Sequence, residues 1–319
     1  MYQITVIIPT LNRIKYLMET VENLKVSIDG FDQIEVIISD NNSNDGTSKW
    51  LEENIMGFKN WSVVYHKKLF PMYRHWNQII NIAKGEYILL LSDDDLVSKK
   101  MFEKCLKIIN EEKKMSMIMF DHDLIDENGK ILQHFNFGKS GRISKGTAFN
   151  YFKYGVSHRL CSIFFNKKLI EDCGGFDEKY NITAADSDLI QNCSLKGDVY
   201  FLSESDIKGY YRTWSGAATQ QKLLSNEWHD EILRWCEKLK SYLSEYTEYD
   251  INNIIETIRF NNYMAAISEN YFALPKNTVK EYMKTIPDFK HITSKKKILL
   301  FLARNRVLYY FYLKLKKLK

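Results

Sequence analysis

Three consecutive aspartates, Asp93, Asp94 and Asp95, close the apolar run Tyr87-Ile88-Leu89-Leu90-Leu91-Ser92. Carboxylates crowded at one strand end repel each other unless a cation sits among them, and a divalent metal bridging a diphosphate is the natural one. Such a metal would offset the negative charge that builds on a departing diphosphate. The same residues also suit a solvated acidic turn. A second apolar run, Val36-Ile37-Ile38-Ser39, ends in Asp40 and the polar stretch Asn41-Asn42-Ser43-Asn44-Asp45-Gly46-Thr47. A carboxylate there can accept from a nucleobase N–H, and a loop opening a helix lets a nucleotide approach the backbone. The first run ends in Pro9-Thr10-Leu11-Asn12-Arg13, where Arg13 could meet a diphosphate. Taken singly, each piece is also an ordinary turn or helix cap.

The elements that must position these residues follow a βαβ rhythm. Strand patterns run Ile4 to Ile8, Ile34 to Ser39, Trp61 to His66, Glu86 to Leu91 and Met115 to Phe120; helical patterns run Ile14 to Val26, Thr47 to Ile55, Met72 to Ala83 and Lys99 to Glu112. That alternation predicts an α/β domain with a mostly parallel sheet, whose ligands gather at the carboxyl ends of the strands. Beyond Asp121 the rhythm changes. Asp126-Glu127-Asn128-Gly129 reads as a hairpin turn, Leu160 to Asn166 as a strand, Asp186 to Leu195 as a helix, and Val199 to Leu202 and Ile207 to Tyr211 as strands. From Ser225 the pattern is helical, with Trp228, Ile232, Trp235, Leu239 and Tyr242 on one face.

At 319 residues and 45% hydrophobic composition the chain can bury a large core, which excludes disorder as its main state. The net charge of +5 is uneven: Lys295 to Lys319 holds nine Lys or Arg and no acid, so the rest is weakly acidic. That distribution fits a membrane surface and no nucleic-acid partner. Five scattered cysteines without a CxxC pair predict reduced thiols in a cytoplasmic setting, and the opening Met1-Tyr2-Gln3-Ile4 shows no secretory signal.

The three strand ends, in this order and spacing, resemble glycosyltransferase family 2, a large inverting family with the GT-A fold. There one strand ends in Pro-Thr-x-Asn-Arg, a second in Asp-(Asn/Asp)-x-Ser-x-Asp-Gly-Thr and a third in an Asp-rich DxD motif. The resemblance covers roughly residues 3 to 215. It implies a Rossmann-like mixed sheet, with a catalytic domain over 1–220 and a helical region over 221–319. Nucleotide-sugar binding would fall in 1–120, acceptor and base functions in 121–220. Carried over residue by residue, Pro9, Thr10, Arg13, Asn42 and Asn77 line the donor pocket, Asp40 contacts the base, and Asp93, Asp94 and Asp95 hold ribose and metal. Asp95 and Asp93 are the first-choice metal ligands. Gly174-Gly175-Phe176-Asp177-Glu178, followed by Ala184-Ala185-Asp186-Ser187-Asp188-Leu189, resembles the family's base region and puts Asp186 at the catalytic base. Asp186 would deprotonate the acceptor hydroxyl as it attacks the anomeric carbon, inverting the linkage; an Asp before a helix is also a good N-cap. Phe176, Asp188 and Trp214 are the implied acceptor contacts.

The implied donor is a nucleotide-diphosphate sugar, UDP first, with manganese or magnesium. The implied acceptor is a lipid-linked or polymeric glycan of a bacterial capsule, O-antigen or teichoic acid. Departures are specific: Ser92 replaces the leading Asp of the DxD motif, Ala185 replaces a Glu, and Tyr211-Arg212-Thr213-Trp214 replaces a Tyr-Arg-x-His segment. His75-Trp76-Asn77 replaces Ala-Arg-Asn, leaving Arg74 as a substitute guanidinium. Glu231-Ile232-Leu233-Arg234-Trp235 is similar to a polymerase Gln-x-x-Arg-Trp motif, but without membrane spans Trp235 reads as packing, so single-sugar transfer is expected. The stretch Lys295 to Leu313 fits a helix lying on the inner face of the plasma membrane, or one docked on its own core or on a second copy in a homo-oligomer. Two other classes share parts of the pattern: a noncatalytic carbohydrate-binding scaffold, and a sugar-1-phosphate nucleotidyltransferase, which would need a Gly-rich loop where Pro9-Thr10-Leu11-Asn12 stands.

Overall fold

The computed structural model describes residues 2–112, 114–214, 225–270 and 275–317. It divides into two units: Met1–Phe152 with Val156–Asn181 and Ala185–Ala217, and Lys153–Gly155 with Ile182–Ala184 and Ala218–Lys319.

The first unit is built on a mixed sheet. Its parallel leaf is β1 (Ile4–Thr10), β2 (Ile34–Asp40), β3 (Trp61–Tyr65) and β4 (Tyr87–Leu90), in spatial order β3-β2-β1-β4. β1 and β2 are buried along their whole length, as apolar strands covered on both faces must be, and their polar interior residues Thr5 and Glu35 bond to each other at 2.7 Å. Helices α1 (Ile14–Ser27), α2 (Thr47–Ile55), α3 (Met72–Ile82) and α4 (Lys99–Glu111) alternate with these strands, with β5 (Leu96–Val97) just before α4. Gly85 enters β4 under a steric constraint: a Cβ there would lie 2.4 Å from the Thr5 nitrogen and 2.5 Å from the Ile4 carbonyl carbon. The register then fixes the site. Thr10 pairs with Asp40 and Ile7 with Leu90, so the turns after β1, β2 and β4 emerge at one edge.

Past β4 the sheet turns mixed. β9 (Ile163–Asn166) runs antiparallel to both β4 and β6 (Met117–Ile125), while β10 (Val199–Leu202) runs parallel to β6. β6 extends five residues past the expected end at Phe120. Its polar extension is held by β7 (Ile131–Phe135), across the anticipated turn at Asp126–Gly129, and by β11 (Lys208–Arg212). Its carboxylates are answered: Asp123 accepts from Lys208 Nζ at 3.0 Å and pairs with His134 at 2.9 Å, and Asp121 accepts from the Phe137 N–H and the Ser203 hydroxyl. The expected strand from Leu160 begins as a 3₁₀ turn, Leu160–Ser162. α5 (Lys167–Asp172), capped by Asn166, and β8 (Gly141–Ile143) had no sequence expectation; α6 (Ala185–Lys196) had one and starts a residue early.

His75, His122 and His158 are all 2% exposed. Burial, the largest cause, lowers His75 to about 4, with His66 adding to it; it lowers His122 to about 4, with the Arg159 cation adding; and it lowers His158 to about 3. His158 is ringed by Phe135, Phe137, Phe152 and Phe201. Because these folded values lie below the ordinary value near 6.5, the histidines contribute stability above that pH and lose it as pH falls toward 4 and below. The expected loss is roughly 3 kcal/mol per histidine. Urea melts at pH 7 and pH 4.5 should show it, and a His158→Phe variant should lose less than wild type on acidification.

The second unit is helical: Asn226–Leu243, Ile251–Asn270, Lys276–Thr285, Ser294–Ala303 and Arg306–Lys317. Ser225 caps the first helix by accepting from the Trp228 N–H, and Trp228, Ile232, Trp235 and Leu239 are buried along one stripe. Glu231 lies on that stripe, 5% exposed, and its carboxylate accepts from the N–H groups of Ile182 and Thr183 at 2.7 to 3.2 Å. Leu300, Ala303 and Tyr309 of the last two helices pack with Phe260, Met264, Ile286 and Phe289. Their outer faces leave Ile298, Phe301, Val307 and Phe311 more than half exposed. Among the described residues no helix is long and apolar enough to cross a membrane.

Candidate active site

Two loops at the carboxyl edge of the parallel leaf brace each other. Asn12, at φ 54°, donates its N–H to the Ser43 hydroxyl and accepts from the Asn44 N–H at 2.7 Å. Asp45 accepts from the Ile14 N–H at the start of α1 and from the Thr47 N–H and hydroxyl at the start of α2. Burial works against the Asp45 charge, but these donors outweigh it and hold its pKa below the usual range. Pro9 is buried within β1, and Asn42 is exposed on the loop at φ 69°.

The acidic cluster sits beside these loops. The Thr10 hydroxyl donates to Asp93 at 2.7 Å, and Arg13 Nη1 reaches Asp93 at 3.1 Å and Asp94 at 3.2 Å. The Trp214 indole N–H donates to Asp94 at 3.0 Å, and Arg13 lies over the Trp214 ring. Asp95 is 1% exposed and accepts from the Arg212 backbone N–H at 2.9 Å. Arg212 is itself buried, donating to the Asp94, Asp126 and Glu127 carbonyls and pairing with Glu19 at 2.8 Å. Even so, the cluster is under-neutralised. Burial pushes Asp93 up to about 6 against the pull of Arg13, and burial with repulsion from Asp94 pushes Asp95 up well above the usual range.

Among the described residues no group of three or more His, Cys, Asp or Glu side chains is arranged to hold a metal ion, so a divalent cation here would take one or two carboxylates of the cluster and complete its shell with phosphate oxygens. Asp94, at 8% exposed, is the least covered of the three. Asp95, a first-choice ligand from the sequence, accepts the Arg212 N–H on one carboxylate oxygen and so ties β11 to the cluster.

Other implied positions resolve into braces. Asp40 is 1% exposed, accepting from the Ser43 N–H at 2.9 Å and from the Ser48 hydroxyl. A buried carboxylate must be answered locally, and this one is answered by donors of its own loop and of α2. Asn77 accepts from the Phe176 N–H at 3.0 Å and donates to the Phe176 carbonyl at 2.8 Å, so it braces the Gly-Gly-Phe turn. Phe176 is 2% exposed, packed with Tyr73 and Trp76, and Asp188 is 3% exposed. Arg74 is exposed over the Phe70 ring, away from the cluster's hydrogen bonds. Trp214 stands at the acidic cluster.

Asp186 is half-buried in the first turn of α6, where it accepts from the Ser187 N–H at 2.7 Å. Ala184, at φ 66°, precedes the helix, so Asp186 lies inside the first turn and is not its N-cap. Burial raises Tyr211 to about 12, and Asp95, Asp94 and Asp186 all push in the same direction. Sequence reasoning missed two features. Ser39 bridges His66 Nε2 at 3.1 Å and His75 Nε2 at 2.7 Å beneath the second loop, and Arg159 lies over the Tyr211 ring at 4.8 Å. Neither falls in a recognisable motif.

Residues 5–174, more than half of the 319, match the family model described as glycosyl transferase family 2, and the protein belongs to that family. It is a glycosyltransferase. An uncharacterized glycosyltransferase of Mycoplasma genitalium, MG025, is 25% identical over 255 residues, 75% of this chain and 76% of that one. Minor teichoic acid biosynthesis protein GgaB of Bacillus subtilis is 33% identical over 113 residues, 35% of this chain and 12% of GgaB. The crystal structure of S. aureus TarS 1-349 in complex with UDP-GlcNAc superposes with a TM-score of 0.68 at 18% identity, covering 98% of this chain and 92% of that one. That likeness bears out the GT-A fold. Family membership leaves the nucleotidyltransferase and noncatalytic readings without support.

Proposed function

We propose that this glycosyltransferase moves one sugar from a nucleoside-diphosphate donor, UDP-linked first, to a hydroxyl of a surface glycan of the teichoic-acid kind, with inversion. The observation that carries the reading is the under-neutralised aspartate cluster at the edge where the braced loops of β1 and β2 end. The TarS complex with UDP-GlcNAc and the GgaB similarity support the donor and acceptor classes. Asp94, with Asp93 beside it, would hold a manganese or magnesium ion, which supplies charge compensation to the leaving diphosphate. Thr10 and Arg13 keep Asp93 and Asp94 in place, and Trp214 covers the cluster. Asp186 takes the acceptor proton at its carboxylate.

The tail extends the proposal. One face of the last two helices packs on the helical unit, while the other exposes Ile298, Phe301, Val307 and Phe311 among Lys295, Lys297 and Arg304. That combination suits the interface of an anionic bilayer, where a lipid-linked acceptor would be met. Mass spectrometry of products from a nucleotide-sugar panel with a lipid-linked acceptor extract tests both parts. Single-sugar addition is expected, and a variant lacking residues 294–319 should lose flotation with anionic vesicles. Extended polymers would contradict the transfer reading, and unchanged flotation the membrane reading.

A further inference from the structure

Three arginines stand at the proposed donor site, and two are committed. Arg13 is paired with Asp93 and Asp94, and Arg212 with Glu19 and three carbonyls. Arg159 is different. Its backbone is fixed, its carbonyl accepting from the Ser162 N–H at 2.9 Å and hydroxyl at 2.8 Å. Its side chain is half-buried and lies over the Tyr211 ring at 4.8 Å, beside the strand whose next residue donates to Asp95. Yet among the described residues its guanidinium makes no hydrogen bond or ion pair, and its Nε is buried without a partner.

A half-buried guanidinium with an orphaned donor is costly unless an anion completes it. Its place narrows which anion. The guanidinium lies over Tyr211, and the following residue of β11, Arg212, donates its N–H to the Asp95 carboxylate, which places Arg159 next to the acidic cluster. A planar fork of N–H donors matches phosphate oxygens better than a sugar hydroxyl.

We infer that Arg159 is a substrate-binding residue that receives a phosphate group through its guanidinium, on the Tyr211 side of the acidic cluster. The assignment rests on the nucleotide-sugar reading above. The phosphate is either the β-phosphate of the donor or a phosphodiester of the acceptor, and both present the same oxygens.

Calorimetric titration of the wild type and of Arg159→Gln with UDP, UMP and a glycerol-phosphate oligomer, in manganese, separates the sources. Loss of about tenfold or more in UDP affinity, with UMP unchanged, assigns the donor β-phosphate. Retained UDP affinity with an equal loss for the oligomer assigns the acceptor. Retention of all affinities overturns the inference, as does an equal loss for UMP and UDP, which would mark general damage to the pocket. If Arg159→Gln does not fold, Arg159→Met, which keeps the apolar stem over Tyr211, is read the same way. Wild type that binds neither nucleotide would sink the nucleotide-sugar reading and this assignment with it; wild-type affinities in the variant would count against Arg159 alone.

Discussion

Asp186→Asn should lower kcat by about a thousandfold while leaving UDP affinity within about twofold of wild type. The amide preserves the shape of the side chain and can still accept from the Ser187 N–H, so α6 and the turn at Ala184 should persist. Only the ability to take a proton is removed. A general base positioned against the acceptor hydroxyl acts in the transition state and not in donor binding, so its loss falls on kcat. Steady-state kinetics with a fixed donor, together with a nucleotide titration, separate the two. A variant that loses UDP binding in step with turnover would mark Asp186 as a structural residue. A comparison with Glu231→Gln is informative, because Glu231 holds the backbone of Ile182 and Thr183 just ahead of this helix.

The second large effect concerns the acidic cluster. Chelation of divalent metal, or Asp94→Ala, should cost about a thousandfold in turnover, roughly 4 kcal/mol of transition-state stabilisation. Asp94 is chosen because it is the least covered of the three and, among the described residues, its carboxylate accepts from Arg13 and Trp214. Asp95→Ala should behave differently. It removes the acceptor of the Arg212 N–H beneath the cluster, so the expected result is a lower unfolding midpoint alongside any loss of activity. Activity assayed with EDTA, then with manganese restored, checks the first expectation; thermal unfolding of the two variants checks the second. Full turnover in EDTA would contradict the metal reading.

Much of this was legible from residue order. The parallel leaf follows from short β-branched, largely apolar runs alternating with helical patterns, and the loops between strands carry the family's motif because its polar residues brace one another: Asn12 with Ser43 and Asn44, and Asp45 with both helix starts. What stayed hidden depends on partners far along the chain. The polar end of β6 reads as a turn until Lys208, His134 and Ser203 are brought to its carboxylates. The donors that reach Asp40 and Asp95 could not be read from a motif, because the identity of a carboxylate says nothing about which N–H or O–H groups the fold brings to it. Asn77 and Phe176 form a brace across 99 positions of sequence, which no local pattern reveals. Glu231 did leave a trace: an acid on the apolar stripe between Trp228 and Trp235 signals a buried charge that needs donors.

The most direct test is a crystal structure of the wild-type protein grown with UDP and manganese. The account predicts a metal ion on the Asp94 carboxylate touching the nucleotide phosphates, with the Asp186 carboxylate facing the space next to them. A nucleotide bound elsewhere, or an acidic cluster left empty with Asp186 turned away, would contradict it.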